Sequence, residues 1–153
     1  MKEISFELDP KEFRPTFKLG NFDAIFATGA IIPMFYMDDD TLRQEFHGRV
    51  TIQDAVIWGI GGEVHGSVYR MDDFHLGELT FKTLDVYVPN DFSGKPRIVL
   101  GASVLYGLSY SIYPSSRLTI SVEDESELVR GLTLQLQDGE LIPFLNGTPL
   151  TEE

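Results

Sequence analysis

This sequence predicts an all-β fold, and three observations support the prediction. Many apolar segments are short and alternate with polar residues at a period of two, the spacing of half-buried strands. Turn residues, mainly glycine and proline, separate these segments at short intervals. A length of 153 residues suits one domain with its own core. We therefore expect a single all-β domain, a barrel or sandwich, over residues 1–153.

The N-terminal part predicts short strands that lead into a tight turn. Apolar and polar residues alternate loosely over Ile4–Leu19, as in short strands. An apolar strand follows at Phe22–Phe26, and Thr28-Gly29 turns the chain. The next apolar run, Ile31–Tyr36, contains Pro33, which cannot donate to a sheet ladder, so an edge strand or a loop is expected there.

The middle of the chain predicts two hairpins. The acidic cluster Asp38–Asp40 before them suits either a solvated loop or a helix N-terminus. Arg49–Trp58 is a long strand that returns at Val64 across a glycine-rich tip, since glycine adopts positive φ angles without strain. Phe74–Phe81 predicts a second, tight hairpin.

The C-terminal half predicts further strands and one short helix. Leu84–Val88 and Ile98–Leu100 are strands, and Ala102–Leu108 fits one or two helical turns. A hairpin is expected over residues 108–122. In the C-terminal extension, residues 123–153, alternating leucines and an Asp-Gly turn predict a hairpin that packs on the domain or at a dimer interface.

Composition excludes several functions. A net charge of −12 disfavours nucleic-acid binding, because an acidic chain repels phosphate. Cysteine is absent, so disulfides, thiolate metal sites and a cysteine nucleophile are excluded. No apolar run approaches the roughly 18 residues that span a bilayer, and charged residues interrupt positions 1–20, so we expect a cytoplasmic protein without a membrane partner.

Other candidate sites fail on their spacing. The glycines at 59–62 lack the third glycine of a dinucleotide-binding loop and the lysine of a phosphate-binding loop. His47, His65 and His75 have no metal-ligand spacing, and Ser103 is not surrounded by the glycines of a nucleophile elbow. No metal or cofactor is expected.

The main functional signal is the strand Phe22–Phe26 running into Ala27-Thr28-Gly29-Ala30. The glycine-tipped hairpin and Ile98–Gly101 before a short helix follow in order. This set, over roughly residues 20–122, resembles the retropepsin-like aspartic proteases, the single-domain homodimeric group that includes the retroviral enzymes. Their active loop reads apolar-apolar-Asp-Thr-Gly-Ala. The resemblance implies a closed acid-protease barrel in which a glycine-rich flap hairpin covers the cleft.

The resemblance also implies an aspartic endopeptidase that acts as a homodimer on a peptide or protein substrate. Each subunit would contribute one Asp to a pair that shares a proton and activates water. The corresponding catalytic positions are Ala27, Thr28 and Gly29; the Thr28 hydroxyl would bond to the partner loop, and Gly29 would let the backbone turn under the pair. An extended peptide would be covered by the flap residues Trp58, Gly59, Ile60, Gly61 and Gly62.

Three departures from the family pattern stand out. Ala27 occupies the position of the catalytic Asp, so this chain is predicted to be inactive. The retroviral Asp–Arg pair, after the active loop and after the late glycine, is replaced by Ile31 and Ala102, which favours an apolar contact there. The extension after Val122 has no counterpart in the retroviral pattern, in which both termini build the dimer sheet.

Three interpretations of this pattern are compatible with the sequence. The first is an active protease that has lost its carboxylate through one Asp-to-Ala change, and the intact loop and hairpin glycines favour it. A natural pseudoprotease that binds peptides or only dimerises is the second. A structural β-barrel in which the motif arises by chance is the third.

Overall fold

The computed structural model describes residues 1–27, 29–59, 61–113 and 116–150. The chain is mostly β-sheet, with 60% strand and 11% helix, which confirms the all-β class. The strands are β1 (Lys2–Glu7), β2 (Thr16–Leu19), β3 (Phe22–Phe26), β4 (Met34–Tyr36), β5 (Arg49–Gly59), β6 (Gly62–Leu76), β7 (Leu79–Pro89), β8 (Arg97–Leu100), β9 (Ser109–Tyr113), β10 (Arg117–Val122), β11 (Val129–Gln137), β12 (Glu140–Leu145) and β13 (Thr148–Pro149).

These strands form two sheets. The larger has the order β13-β12-β11-β7-β4-β8-β3-β2, and β6 joins it by pairing with both β5 and β7. The smaller has the order β1-β10-β9, so the N-terminal strand pairs with the second strand of the predicted hairpin over residues 108–122.

The centre of the larger sheet brings together segments that are distant in sequence. β3 and β8 are parallel, with Phe26 opposite Leu100, and β4 pairs antiparallel with β8. The expectation of an edge strand or loop around Pro33 is wrong for the second half of that run, because β4 lies between β7 and β8. Pro33 precedes the strand, so its missing N–H is not needed, and its carbonyl accepts a 2.9 Å hydrogen bond from the Tyr87 N–H.

The acidic cluster Asp38–Asp40 begins a helix, one of the two alternatives that the sequence offers, whereas the helix predicted over residues 102–108 is shorter than expected. The α-helix, α1, spans Asp39–Phe46, and the Asp38 carboxylate caps it by accepting from the Thr41 N–H at 2.8 Å. The segment 102–108 contains only a 3-10 turn at Ala102–Leu105, with a second 3-10 turn at Glu125–Leu128. The first turn ends early because Tyr106 is extended and Gly107 has a φ of 81°.

Two apolar clusters fill the interior. The main core includes the neighbouring rings of Phe6, Phe17 and Phe26, whose centroids are 5.0–5.6 Å apart. We call the second the hairpin-base cluster; its buried members are Ile32, Ala55, Val68, Tyr87 and Leu134, with the partly buried Met34, Ile52, Ile57, Val64 and Leu141 packed against them.

The C-terminal extension continues the larger sheet. β11 and β12 form an antiparallel hairpin about Asp138-Gly139, where both residues have positive φ angles. β11 also pairs parallel with β7, from Val129 opposite Thr80 to Leu132 opposite Leu84. This pairing covers the alternating leucines, two of which, Leu132 and Leu134, are buried.

Candidate functional site

The loop that follows β3 is held by the strand beside it. Ala27 is partly buried, and its N–H donates to the Leu100 carbonyl at 3.0 Å, extending the parallel pairing of β3 and β8 by one residue. The Ala30 N–H reaches the Ala27 carbonyl at 3.4 Å, which folds the loop back on itself. Gly29 is exposed at the turn, whereas Thr28 lies outside the described residues. The two ends of the loop therefore have fixed positions beneath an exposed turn.

The segment after β8 crosses directly behind this loop. The Ala102 N–H donates to the Ala30 carbonyl at 2.7 Å. The Ser103 N–H and hydroxyl both donate to the Ile31 carbonyl, at 3.1 and 2.6 Å. These N–H groups belong to the first turn of a helix and have no partner within it, so they are free to bind the loop. Ser103 is 3% exposed and bonded to the backbone, which agrees with the prediction that it is not a nucleophile.

The crossing requires glycine at position 101. A Cβ atom there would lie 2.7 Å from the Ile32 carbonyl oxygen and 2.8 Å from both the carbonyl carbon and oxygen of Ile31. All three are backbone atoms of the loop, so no side-chain rotation could relieve the clash. Gly101 is therefore the position at which the two backbones touch.

The two residues that replace the Asp–Arg pair are both exposed in the single chain, Ile31 by 50%. The expected apolar contact between Ile31 and Ala102 therefore does not form part of the buried core. Backbone hydrogen bonds to Ala30 and Ile31, together with the Ser103 hydroxyl, join the two segments instead.

The predicted glycine-tipped hairpin is formed by β5 and β6. Gly59 pairs with Gly62, whose φ of 112° is a conformation that other residues rarely adopt. Gly61 is exposed at the tip, and Trp58 is 75% exposed. Ile60 lies outside the described residues. The hairpin thus presents one large aromatic ring to solvent next to its glycine tip.

Tyr87 fastens the base of this hairpin. Its side chain is fully buried, and its hydroxyl lies 2.6 Å from the Ala55 carbonyl on β5 and 2.8 Å from the Val64 carbonyl on β6. The single phenolic proton is donated to one of these carbonyls at a time, and either bond ties β7 to a strand of the hairpin. Burial raises the pKa of Tyr87 to about 12.

Gly66 permits this close approach. A Cβ atom at Gly66 would lie 2.3 Å from the Val88 carbonyl oxygen and 2.9 Å from the Tyr87 ring. A glycine inside a strand pattern is a known sign of close backbone approach, and this signal was available in the sequence. The partner of the close approach, Tyr87, could not be read from local pattern, because the sequence does not show which residues of the neighbouring strand β7 face Gly66.

The hairpin-base cluster connects these parts. Ile32 and Met34 follow the loop, Ile57 and Val64 belong to the hairpin, and Leu141 comes from the C-terminal extension. All five are apolar, and four are only partly buried. Apolar side chains thus lie between the loop and the hairpin, and four of them keep part of their surface exposed.

The acidic residue nearest in sequence before the loop, Asp23, does not offer a free base. Its carboxylate is bound to Lys18 Nζ at 2.6 Å and to Lys95 Nζ at 3.5 Å. The hydrogen bond with Lys18 lowers the pKa of Asp23, so the group stays ionised and paired. At position 27 itself, alanine supplies no group that could activate water.

The histidines occupy unrelated places. His47 ends α1 in the left-handed conformation, His65 lies 3.1 Å from the Glu63 carboxylate, and His75 lies 3.2 Å from the Thr80 hydroxyl. Within the described ranges, no three His, Cys, Asp or Glu side chains are close enough to hold a metal ion.

An open groove of about 580 Å³ lies elsewhere, between β1 and β2. It is lined by residues of these two strands and by Asp23, and no residue of the 27–31 loop or the β5–β6 hairpin lines it. The groove is therefore separate from the loop and hairpin that the sequence singles out.

The chain matches no protein-family model, no curated protein and no solved structure. Among the described residues, no helix has the length and apolar character needed to cross a membrane.

Proposed function

We propose that this chain is a retropepsin-like aspartic protease domain in which Ala27 replaces the catalytic Asp. The observation that carries the proposal is the crossing of residues 100–103 behind the 27–31 loop. There, Ala27 and Ala30 are each joined by a backbone hydrogen bond to the segment that begins with β8, and Gly101 touches the loop backbone. This geometry supports a rigid loop that could aim a side chain at position 27 in a fixed direction.

The strand pairings support the finer description of the fold, a closed acid-protease barrel with a flap. β3 enters the loop beside its parallel neighbour β8, β4 leaves it on the other side of β8, and β7 continues into the hairpin through β6. These contacts join segments that the family resemblance requires to be together. The β5–β6 hairpin then corresponds to the flap, with Trp58 at its exposed end.

The active form would be a symmetric homodimer, because one chain supplies one loop. Exposed Gly29 and Ile31 could meet their copies near a two-fold axis. β9 is an edge strand of the smaller sheet and exposes Tyr110 and Tyr113, by 40% and 52%. Edge-to-edge pairing of two β9 strands would satisfy their free backbone groups and cover these rings.

With an Asp at position 27, such a dimer would hold two carboxylates within hydrogen-bonding distance. Both cannot ionise cheaply, so they would share one proton, the ionised group acting as general base on water and the protonated group polarising the scissile carbonyl. The flap would exclude water and hold an extended peptide by backbone hydrogen bonds. No metal or cofactor takes part in this mechanism.

In the chain as it stands, the function supported by Ala27 is peptide binding without cleavage. Alanine supplies no general base, while the loop, the hairpin and the apolar cluster between them are all formed. This holds whether the alanine is natural, as in a pseudoprotease, or replaces an Asp in an active enzyme. The net charge of −12 supports a protein or peptide partner over a nucleic acid. We also propose a cytoplasmic location, on the sequence argument alone.

The proposal is tested by the substitution Ala27→Asp and an assay for peptide hydrolysis. The active loop would then appear twice in the dimer, so one substitution supplies both carboxylates. Peptide cleavage that is blocked by pepstatin-like transition-state mimics is the expected result. The absence of cleavage by a folded dimer would overturn the proposal.

A further inference from the structure

The C-terminal hairpin reaches the region between the loop and the flap. β11 runs beside β7 as far as Leu132, and β12 then passes close to β5, the first strand of the flap. Leu134 is buried in the hairpin-base cluster, and Leu141 packs against the same cluster while remaining partly exposed. The extension therefore contributes apolar surface to the flap base in addition to lengthening the sheet.

A buried carboxylate fixes this hairpin in place. Asp85 on β7 is fully buried and accepts three hydrogen bonds, from Arg70 Nε at 2.7 Å, from Arg70 Nη2 at 2.9 Å and from the Leu134 N–H at 2.8 Å. The bidentate arginine orients the carboxylate, and the carboxylate in turn holds the backbone of Leu134. Leu134 is thus anchored where β11 leaves β7.

Two leucines on the same face of the hairpin differ in their packing. Leu136, near the hairpin turn, is 48% exposed and is not part of the cluster. Leu141 pairs with Leu136 across the hairpin, but only Leu141 packs against the buried hairpin-base cluster, as Met34, Ile57 and Val64 from the loop and flap sides also do. Its remaining exposed surface continues that apolar surface.

We propose that Leu141 forms one wall of a side-chain pocket in the peptide cleft, with Leu134 behind it as a positioning residue. This inference rests on the proposed function, since it assumes that a peptide lies between the loop and the flap. The pocket would accept an uncharged, apolar side chain, because its other walls are Ile32, Met34, Ile57 and Val64. An extension outside the family pattern would thereby set the peptide preference of this protein.

The effect would be confined to one position of the peptide per subunit. Successive side chains of an extended peptide point to opposite sides, so only one residue can enter a given pocket. Changes in the size of Leu141 should therefore alter the preference at one position and leave the neighbouring positions unchanged.

The experiment measures binding of the unsubstituted chain and its variants to a position-scanned library of extended peptides. Leu141→Trp should weaken binding of peptides with a large apolar residue at one position by about tenfold, while small residues there stay tolerated. Leu141→Ala should shift the preference at the same position towards larger residues. Leu136→Ala, which changes the more exposed cross-strand partner of Leu141 outside the hairpin-base cluster, is the matched control and should change nothing.

The outcomes separate this inference from the proposed function. Suppose that the unsubstituted chain binds peptides selectively, and that Leu141→Trp and Leu141→Ala leave the residue preference at every peptide position unchanged. The role of Leu141 as a pocket wall is then overturned, whereas the proposed peptide cleft is not. If the unsubstituted chain binds no peptide and Ala27→Asp cleaves none, both are overturned. Leu141→Val, which removes one methylene group, covers the case in which a larger change unfolds the hairpin. A folded Val variant whose preference at one position shifts towards larger residues supports the wall, and an unaltered preference contradicts it.

Discussion

The hydroxyl of Ser103 donates a 2.6 Å hydrogen bond to the backbone carbonyl of Ile31, across 72 positions of sequence. Ser103 is 3% exposed, so this bond is protected from water. The Ser103 N–H donates to the same carbonyl, which leaves that part of the loop bonded twice to the crossing segment. This relationship explains how a loop with an exposed turn can keep a fixed direction.

Ser103→Ala should loosen the loop without unfolding the domain. The Ile31 carbonyl would retain its bond from the Ser103 N–H, so the expected loss in the free energy of unfolding is only about 1 kcal/mol. Urea denaturation measures this loss. In the Ala27→Asp background the same change should lower kcat more than it raises KM, because it displaces the catalytic group rather than the peptide. An unchanged kcat would argue against a positioning role for Ser103.

Gly101→Ala should be far more disruptive than its small size suggests. The added methyl group would lie 2.7–2.8 Å from backbone atoms of Ile31 and Ile32, and such overpacking costs on the order of 1–3 kcal/mol. Gly61→Ala is the control, because nothing lies within 4 Å of a Cβ atom there. Equal stability of the two variants in urea would contradict the close crossing of the two backbones.

Much of this architecture could be predicted from local sequence pattern. The strand Phe22–Phe26 has the predicted bounds, and the hairpins about Gly77 and Asp138-Gly139 form where turn residues interrupt alternating runs. Local pattern did not predict that the strand after Pro33 lies inside the sheet, because whether a strand lies at an edge depends on which other strands pair with it. The helix expected over residues 102–108 is only a 3-10 turn at 102–105. Its first N–H groups are bonded to the loop, and Gly107 ends it.

The candidate site also has some residues that local sequence pattern predicts and others that it does not. The glycines of the hairpin and the loop could be recognised from sequence, because glycine at a turn has a local cause. Tyr87, Asp85 and Leu141 could not, since their roles depend on contacts with strands 20 or more positions away. Sequence alone gives no sign that the C-terminal hairpin lies against the base of the β5–β6 hairpin.

Tyr87→Phe should loosen the base of the β5–β6 hairpin. Loss of the hydroxyl should cost about 1 kcal/mol of stability at neutral pH and speed amide exchange in β5 and β6. The folded-state pKa of Tyr87, about 12, is raised above its ordinary value of 10.0, so the neutral phenol contributes stability that is full below pH 10 and lost as pH rises towards 12. The stability difference between the unsubstituted chain and Tyr87→Phe should therefore shrink over that range.

The measurement for Tyr87 is the free energy of unfolding as a function of pH. Tyr69 titrates in the same range, since burial and its hydrogen bond to Asp39 raise its pKa to about 12, but this contribution is common to both proteins and cancels in the difference. A stability difference that is constant from pH 9 to pH 12 would contradict the role assigned to the Tyr87 hydroxyl.

The proposed dimer should depend on the edge of β9. Tyr110→Glu places a charge on this edge, which opposes strand pairing between two chains. Sedimentation should show a dimer for the unsubstituted chain and a monomer for this variant. Phe13→Glu, which changes a fully exposed ring in the segment between β1 and β2, should remain dimeric. If the unsubstituted chain sediments as a monomer at micromolar concentration, the homodimer proposal fails.

The most direct test of the protease proposal is the initial rate of peptide hydrolysis by Ala27→Asp, measured across pH beside Ala27→Asn. Asn has nearly the same shape but cannot share a proton or activate water, so it controls for any effect of size. We predict that Ala27→Asp cleaves peptides with an acidic optimum and loses activity as pH rises past the upper pKa of the carboxylate pair, whereas Ala27→Asn and the unsubstituted chain stay inactive. A folded, dimeric Ala27→Asp protein that cleaves no peptide between about pH 3 and pH 7, the range of carboxylate titration, would contradict the proposal.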